Sequence, residues 1–490
     1  MIFKILVKFI EINIFIDMKR NSLKISLLGI IIAFILIHGV IFLITTKSTD
    51  GEFVYTLDDA YIHMAISKNL VQNGQWSTLP GEFNSAASSI IYPLLLSGLF
   101  AIFGINTLLP LLVNMLFSVI LILFVYYIAK RENLSNWNFV FTSLAIIIFT
   151  PLTLIISQGM ENMIQIFVSL AFLYFSSLIL SYDRSYRSRD LFAFYMLAPL
   201  VTFARYEGMF LVFAVFVLMM IRKKRLPAIL MAVLAALPIV IFGIISISNG
   251  YEFFPNPVLY KSHMSEISGL SQILMKLKNI AVFYQHKGLL LLIMAVISGI
   301  IITSRKSTKF FNFEIVFGIL VLAASAQHIM LARLSYKFAR YEAYLVVMLF
   351  VALSLFLEHI NFKKLYHSKV RFAFSILMFI LILLPLGKRA SYNRLAFYSK
   401  NIHNQHIMMA EFVGEYYDDA TIVINDIGAI SFYTNAEYID LYALSNIEIL
   451  RMIENGEFNS SNIQRLASER NAQIAILNEE HLADNIPKSW

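Results

Sequence analysis

Long apolar blocks separated by short basic clusters constrain this chain more than any single motif. The blocks run over 25–44, 88–104, 107–129, 137–155, 163–181, 191–204, 208–221, 226–247, 288–304, 311–332, 341–358 and 371–387. Blocks of this kind enter a bilayer as helices, because a helix satisfies its own backbone hydrogen bonds where no water can. A 14% charged fraction beside 59% hydrophobic residues excludes an ordinary soluble domain, which carries about 25% charged residues. The net charge of +8 is dispersed over the inter-block clusters and builds no separate basic face for nucleic acid. The absence of cysteine excludes disulfides, thiolate metal sites and cysteine nucleophiles.

Orientation follows Lys and Arg in short loops. If every block spanned, Lys130-Arg131, Arg184/Arg187/Arg189, Arg222–Arg225, Arg305-Lys306 and Lys363-Lys364 would all lie opposite Lys19-Arg20. Leaving 88–104 in the interface returns all of these clusters to the Lys19-Arg20 side. That segment contains Ser88, Ser89, Pro93, Ser97 and Gly98 and is barely long enough to cross ~30 Å. The expected fold is a polytopic α-helical membrane protein of about 11 transmembrane helices, with interfacial helices in a first external loop over 46–106. Residues 1–24 form its cytoplasmic N-terminus, with Met18 a candidate start. No small-residue cleavage site follows, so 25–44 reads as a retained helix. The transmembrane domain occupies 25–387. Residues 388–490 read as a small extracytoplasmic α/β domain, with strands at Thr421–Asp426 and Gln473–Leu477 and helices at Ile447–Glu454 and Asn462–Glu469.

Acidic residues are scarce, yet Asp58 and Asp59 stand side by side in the first external loop. Ile62, Ala65, Ile66 and Leu70 follow at helical spacing, and Asn73-Gly74 supplies a stop. Asp58 is therefore placed to cap that helix. A cap needs one carboxylate; a second near low dielectric must find a partner or serve as a base. Asp58 is the preferred base, with Asp59 orienting it or the acceptor. On the same side lie Arg205, Lys261, Arg333, Lys337 and Arg340. Each alone reads as a solvated or snorkelling side chain. Together they run against the positive-inside trend and suit a phosphate held at the outer surface. Glu161 and Glu207 at similar helix mouths could orient these arginines or the acceptor. Asn425–Ser431 reads as a strand-to-helix turn with free backbone N–H groups, but one glycine makes no phosphate loop. The histidines His63, His263 and His328 have no metal-ligand spacing, so no metal or other cofactor is expected.

The order of these motifs resembles that of the C-type (GT-C) membrane glycosyltransferases, particularly bacterial members such as mycobacterial terminal arabinofuranosyltransferases and protein mannosyltransferases. The resemblance rests on Leu57-Asp-Asp-Ala-Tyr-Ile-His63, Asn69–Gly74, Ser88-Ser-Ile-Ile-Tyr-Pro-Leu94, Ser157–Asn162, Ala204-Arg-Tyr-Glu-Gly208, Pro255–Lys261, Ala339-Arg-Tyr341 and Asn425–Ile430. Two positions depart from it: Arg205-Tyr206 stands where Arg-Pro is usual, and Asn256-Pro257 where Asn-Thr is common. The resemblance implies a polyprenyl-phosphate-sugar donor, used without nucleotide on the outer face of the bacterial cytoplasmic membrane. The acceptor would be a hydroxyl of a glycan, lipid or protein. It further implies an inverting transfer in which the first-loop Asp takes the hydroxyl proton. Arg205, Lys261, Arg333 and Arg340 would stabilise the departing phosphate, and Tyr61, His63, Glu161 and Glu207 would orient the acceptor. Retention would want a second carboxylate about 5 Å away across the sugar, which sequence neighbours at a helix start do not supply. The competing reading is a multi-pass transporter or flippase, whose sites lie on broken helices near the midplane. A membrane scaffold or sensor is a third.

Overall fold

The computed structural model describes residues 22–263, 287–306, 311–332, 340–359, 383, 394–478, 482, 485–488 and 490. Among them, six helices are long and apolar enough to cross a membrane: Leu23–Lys47, Leu109–Arg131, Asn162–Leu180, Arg225–Ser248, Lys287–Arg305 and Phe313–Leu331. Shorter apolar helices cover Ile91–Phe103, Asn136–Phe149, Gly208–Ile221 and Ala343–Leu357. The protein is an integral membrane protein of helical architecture. The expected block at 371–387 lies outside the described residues, apart from residue 383. Asn162–Leu180 is the hub, buried on all sides, whereas the first helix exposes Leu28, Leu36, Leu43 and Ile44 to lipid.

The block at 137–155 divides at Thr150-Pro151 into Asn136–Phe149 and Leu152–Ser157. Proline brings no N–H to the helical ladder, so the run breaks there. The helix Ile91–Phe103 has 13 residues, about 20 Å at 1.5 Å per residue, too short to span.

Ion pairs sort the loops into two ends. Arg131 holds Asp190 in a fork of 2.9 Å bonds, and Arg184 reaches Glu132, Asp183 and Glu314 at 3.0–3.2 Å. Arg222 covers the rings of Tyr182 and Phe311 and donates to the Leu180 carbonyl. The basic clusters near 131, 184 and 222 therefore share one end of the bundle, at the C-terminus of the Asn162–Leu180 helix. Glu161, at its other end, meets the candidate site residues.

The C-terminal part carries a sheet of three parallel strands in the order β2-β1-β3: β1 Thr421–Ile424, β2 Glu437–Asp440 and β3 Ile474–Ile476. Parallel pairing demands crossovers. Gly428–Tyr433 links β1 to β2, and Ile447–Glu454 with Ser460–Glu469 links β2 to β3. The expected strands at 421–426 and 473–477 form, as do the expected helices; β2 was not anticipated. Side chains alternate across a strand. Val423 packs with Ile439, Ile449, Ile463 and Leu466, while Ile422 and Ile424 join the core of the helical bundle.

Candidate active site

Asp58 and Asp59 open the helix Asp59–Asn73, which ends as expected at Gly74 in the left-handed conformation, φ +67°. This helix is buried along most of its length; Ala60, Tyr61, Ile62, His63, Met64, Ala65 and Ile66 are all covered. Asp58 does not cap it. Its backbone is helical (φ −66°, ψ −33°) rather than extended, so its side chain cannot turn back to the first N–H groups. The carboxylate instead accepts the N–H groups of Gly428 and Ala429 at 2.6 and 2.8 Å, and faces His406 Nδ1 at 3.5 Å. The free N–H groups of the 425–431 turn thus have a ligand, an aspartate of the same chain. Gly428 makes this approach possible, because a Cβ there would lie 2.1 Å from the Asp58 carbonyl oxygen.

Asp59 points differently. Its side chain is 41% exposed, and its Oδ2 accepts from Arg340 Nη1 at 2.8 Å. Arg340 also donates to the Tyr341 hydroxyl at 2.9 Å, and its carbonyl receives Asn162 Nδ2. Both Arg340 and Arg205 lie over the Tyr341 ring, at 4.8 and 5.5 Å.

Arg205 is buried and committed to protein carboxylates. Its Nε and Nη2 bind Glu207 at 3.1 and 2.9 Å, and its Nη1 donates to Glu161. Glu161, fully buried, also accepts from Ser88 Oγ at 3.1 Å and meets His63 Nε2 at 3.2 Å. Burial alone would push the Glu161 and Glu207 carboxyls up. Arg205 outweighs it, holding Glu161, with help from His63, well below the usual carboxylate range and Glu207 at about 2. Three of the five Arg205 N–H groups are thus taken by protein carboxylates, which makes the side chain a buried brace between Glu161 and Glu207.

Tyr61 is buried among aromatic rings, with Tyr55, Phe432 and Tyr433 centroids within 5.8–6.2 Å. It joins the Asp59 helix to Gly428–Tyr433. Lys261 belongs to the helix Asn256–His263, but its side chain, like all of Arg333, lies outside the described residues. That helix is pinned to the first loop through Asn256 N to the Ser85 carbonyl (3.0 Å) and to the C-terminal part through Asn256 Nδ2 to the Ala443 carbonyl (3.1 Å). Among the described residues, no group of three or more His, Asp or Glu side chains is arranged to hold a metal.

Two residues near the aspartates were not anticipated. His406 sits on a π-helical turn, His403–Ile407, and Asp426 ends the β1 turn beside Asn425. Burial first, then the neighbouring Asp58 and Asp59 charges, push the Asp426 carboxyl up to about 6. Burial opposes charge on His406, but Asp58, Asp426 and Asp59 outweigh it and raise its pKa. Only the free N–H groups of the 425–431 turn signalled this in the sequence; nothing there marked His406.

The fold has solved counterparts. The crystal structure of ArnT from Cupriavidus metallidurans bound to undecaprenyl phosphate superposes with a TM-score of 0.55 at 14% identity, covering 94% of this chain and 95% of that one. The apo state of ArnT gives a TM-score of 0.56 at 15% identity, covering 93% and 94%. Residues 400–490 match a family model described as Domain of unknown function (DUF8728). No curated protein matches the chain significantly.

Proposed function

For a chain with the fold of ArnT, the GT-C membrane architecture expected from its motif order, we propose glycosyl transfer from a polyprenyl-phosphate sugar to an acceptor hydroxyl. Transfer takes place on the outer face of the bacterial cytoplasmic membrane, with the C-terminal part on the same side. The observation that carries the reading is the Asp59–Arg340 pair at 2.8 Å, a half-exposed carboxylate beside a guanidinium at a helix mouth. The undecaprenyl phosphate bound by ArnT supports a polyprenyl lipid as the partner here.

The acceptor oxygen attacks the anomeric carbon from the face opposite the phosphate. As that bond forms, the O–H proton passes to a carboxylate and the bond from the anomeric carbon to the phosphate oxygen breaks with its electron pair. The products are the inverted glycoside and polyprenyl phosphate. The leaving phosphate is already a stable anion, so one base suffices, and cationic donors aimed at its oxygens lower the barrier. Exposure favours Asp59 as the base, since both Asp58 oxygens are occupied by backbone N–H groups. This exchanges the roles that the sequence gave the two residues. Arg340 meets the phosphate, with Lys261 and Arg333 as further cations; Glu161, Glu207, His63 and Arg205 brace the mouth.

Reconstitution in bilayers with undecaprenyl-phosphate-linked arabinose, mannose or glucose and an envelope extract tests the reading. Transfer that is lost in Asp59→Asn supports it. Normal transfer by a folded Asp59→Asn overturns the base assignment, and loss in Asp58→Asn alone returns that role to Asp58. Movement of lipid or sugar across the bilayer without transfer favours a transporter.

A further inference from the structure

The C-terminal part does more than cover the helix mouth. A π-helical turn interrupts the helical run between Leu395–Ile402 and Met408–Tyr416 at His403–Ile407. Such turns add a residue to one helical repeat, re-aim a side chain and concentrate at functional sites. Here the turn carries His406, whose Nδ1 lies 3.5 Å from Asp58 Oδ1. The same carboxylate takes the two N–H groups of Gly428 and Ala429. Asp58 is followed directly by Asp59, whose backbone begins the helix.

We propose that His406 is a positioning residue for transfer: its imidazolium holds the Asp58 carboxylate, and through it the helix turn that presents Asp59 to the acceptor hydroxyl. The inference rests on the glycosyl-transfer reading for its catalytic consequence, though not for the latch itself.

The electrostatics around His406 set the expected pH response. Asp58 and Asp59 face it from the Asp59 helix, and Asp426 from the β1 turn. Arg340 lies behind Asp59, and Tyr442 neighbours Asp426. His403 and Glu411 share its own helical run. Its raised pKa means that the latch is complete at low pH and weakens as the pH rises through that value. Removing the Asp426 charge withdraws support for the imidazolium, so weakening begins at lower pH.

Two readouts on the full-length protein in bilayers test this. The first is hydrogen exchange of Gly428 and Ala429, corrected for intrinsic rates, across pH 5 to 9. Wild-type protection should fall on the alkaline side. His406→Gln, a neutral donor of similar reach, should remove that pH dependence, and Asp426→Asn should move it down by about one pH unit. Protection that is equally pH-dependent in His406→Gln overturns the latch, whether or not any sugar is transferred. The second readout is transfer rate against pH with the undecaprenyl-phosphate sugars above. The alkaline decline should vanish in His406→Gln and shift in Asp426→Asn, with donor KM little changed. An altered exchange profile with an unaltered rate profile overturns the positioning role while leaving glycosyl transfer standing. Absence of transfer by the wild type removes the glycosyl-transfer reading and the positioning role with it, leaving the exchange result to decide the latch.

Discussion

Arg340 donates from Nη1 to Asp59 Oδ2 at 2.8 Å, joining residues 281 positions apart at the mouth of the helical bundle. The proposed base and the cation proposed to meet a leaving phosphate thus touch before any substrate arrives. The arrangement gives each a partner at rest and asks little movement of either when a donor lipid enters.

Asp59→Asn keeps the shape of the side chain and removes its basicity. Transfer should fall by about 10²–10⁴-fold, the usual range for losing a general base, with donor binding largely retained. Single-turnover rates beside donor affinity measure the two effects separately.

Arg340 should tolerate lysine poorly. Arg340→Ala is expected to lower the rate by roughly 10²–10³-fold, through lost stabilisation of the phosphate. Arg340→Lys restores the charge without the planar fork and should recover only part of the loss. Both variants should melt close to the wild type, which separates lost transfer from lost folding.

The Glu161–Arg205–Glu207 group governs stability in acid. Glu207 is held at about 2 and Glu161 well below the usual range, against about 4.3 for free Glu. Their contribution is therefore complete above about 4.3 and is lost as the pH falls towards 2. This group should make the melting temperature drop below about pH 5. Glu161→Gln leaves Arg205 short of one partner and should cost ~3 kcal/mol at neutral pH while flattening the acid decline.

Gly428→Ala introduces a Cβ that would sit 2.6 Å from Asp58 Oδ2 and 2.1 Å from its carbonyl oxygen. Backbone on one side and a helix on the other leave no room, so the 425–433 turn must shift. The expected cost is about 1–3 kcal/mol, with faster protease cleavage near residue 420 and reduced transfer. A variant that melts and cleaves like the wild type would show that the turn gives way freely.

The membrane class, the short helix at 91–103 and the common end of the basic clusters near 131, 184 and 222 were legible because each depends on local pattern: block length, Pro and Ser content, and Lys/Arg position. The helix stop at Gly74 was legible for the same reason. β2 was not, since Glu437-Tyr-Ile-Asp440 is too short to show a period. The acidic pair stood out in the sequence, but the different partners of Asp58 and Asp59 did not. They include Gly428, Ala429 and His406, which lie more than 340 positions away in sequence, and no local signal encodes such a contact. Likewise Arg205 announced its charge, but not that Glu161 and Glu207 would occupy it.

The sheet that buries Ile422 and Ile424 in the bundle and Val423 against its own helices has a consequence for biogenesis. The ribosome delivers Asp58 370 residues before Gly428, so the nascent protein carries Asp58 without its N–H partners until that turn has been made. Insertion of the earlier spans and completion of the Asp58 contacts become separate events, the second awaiting the turn that carries Gly428 and Ala429.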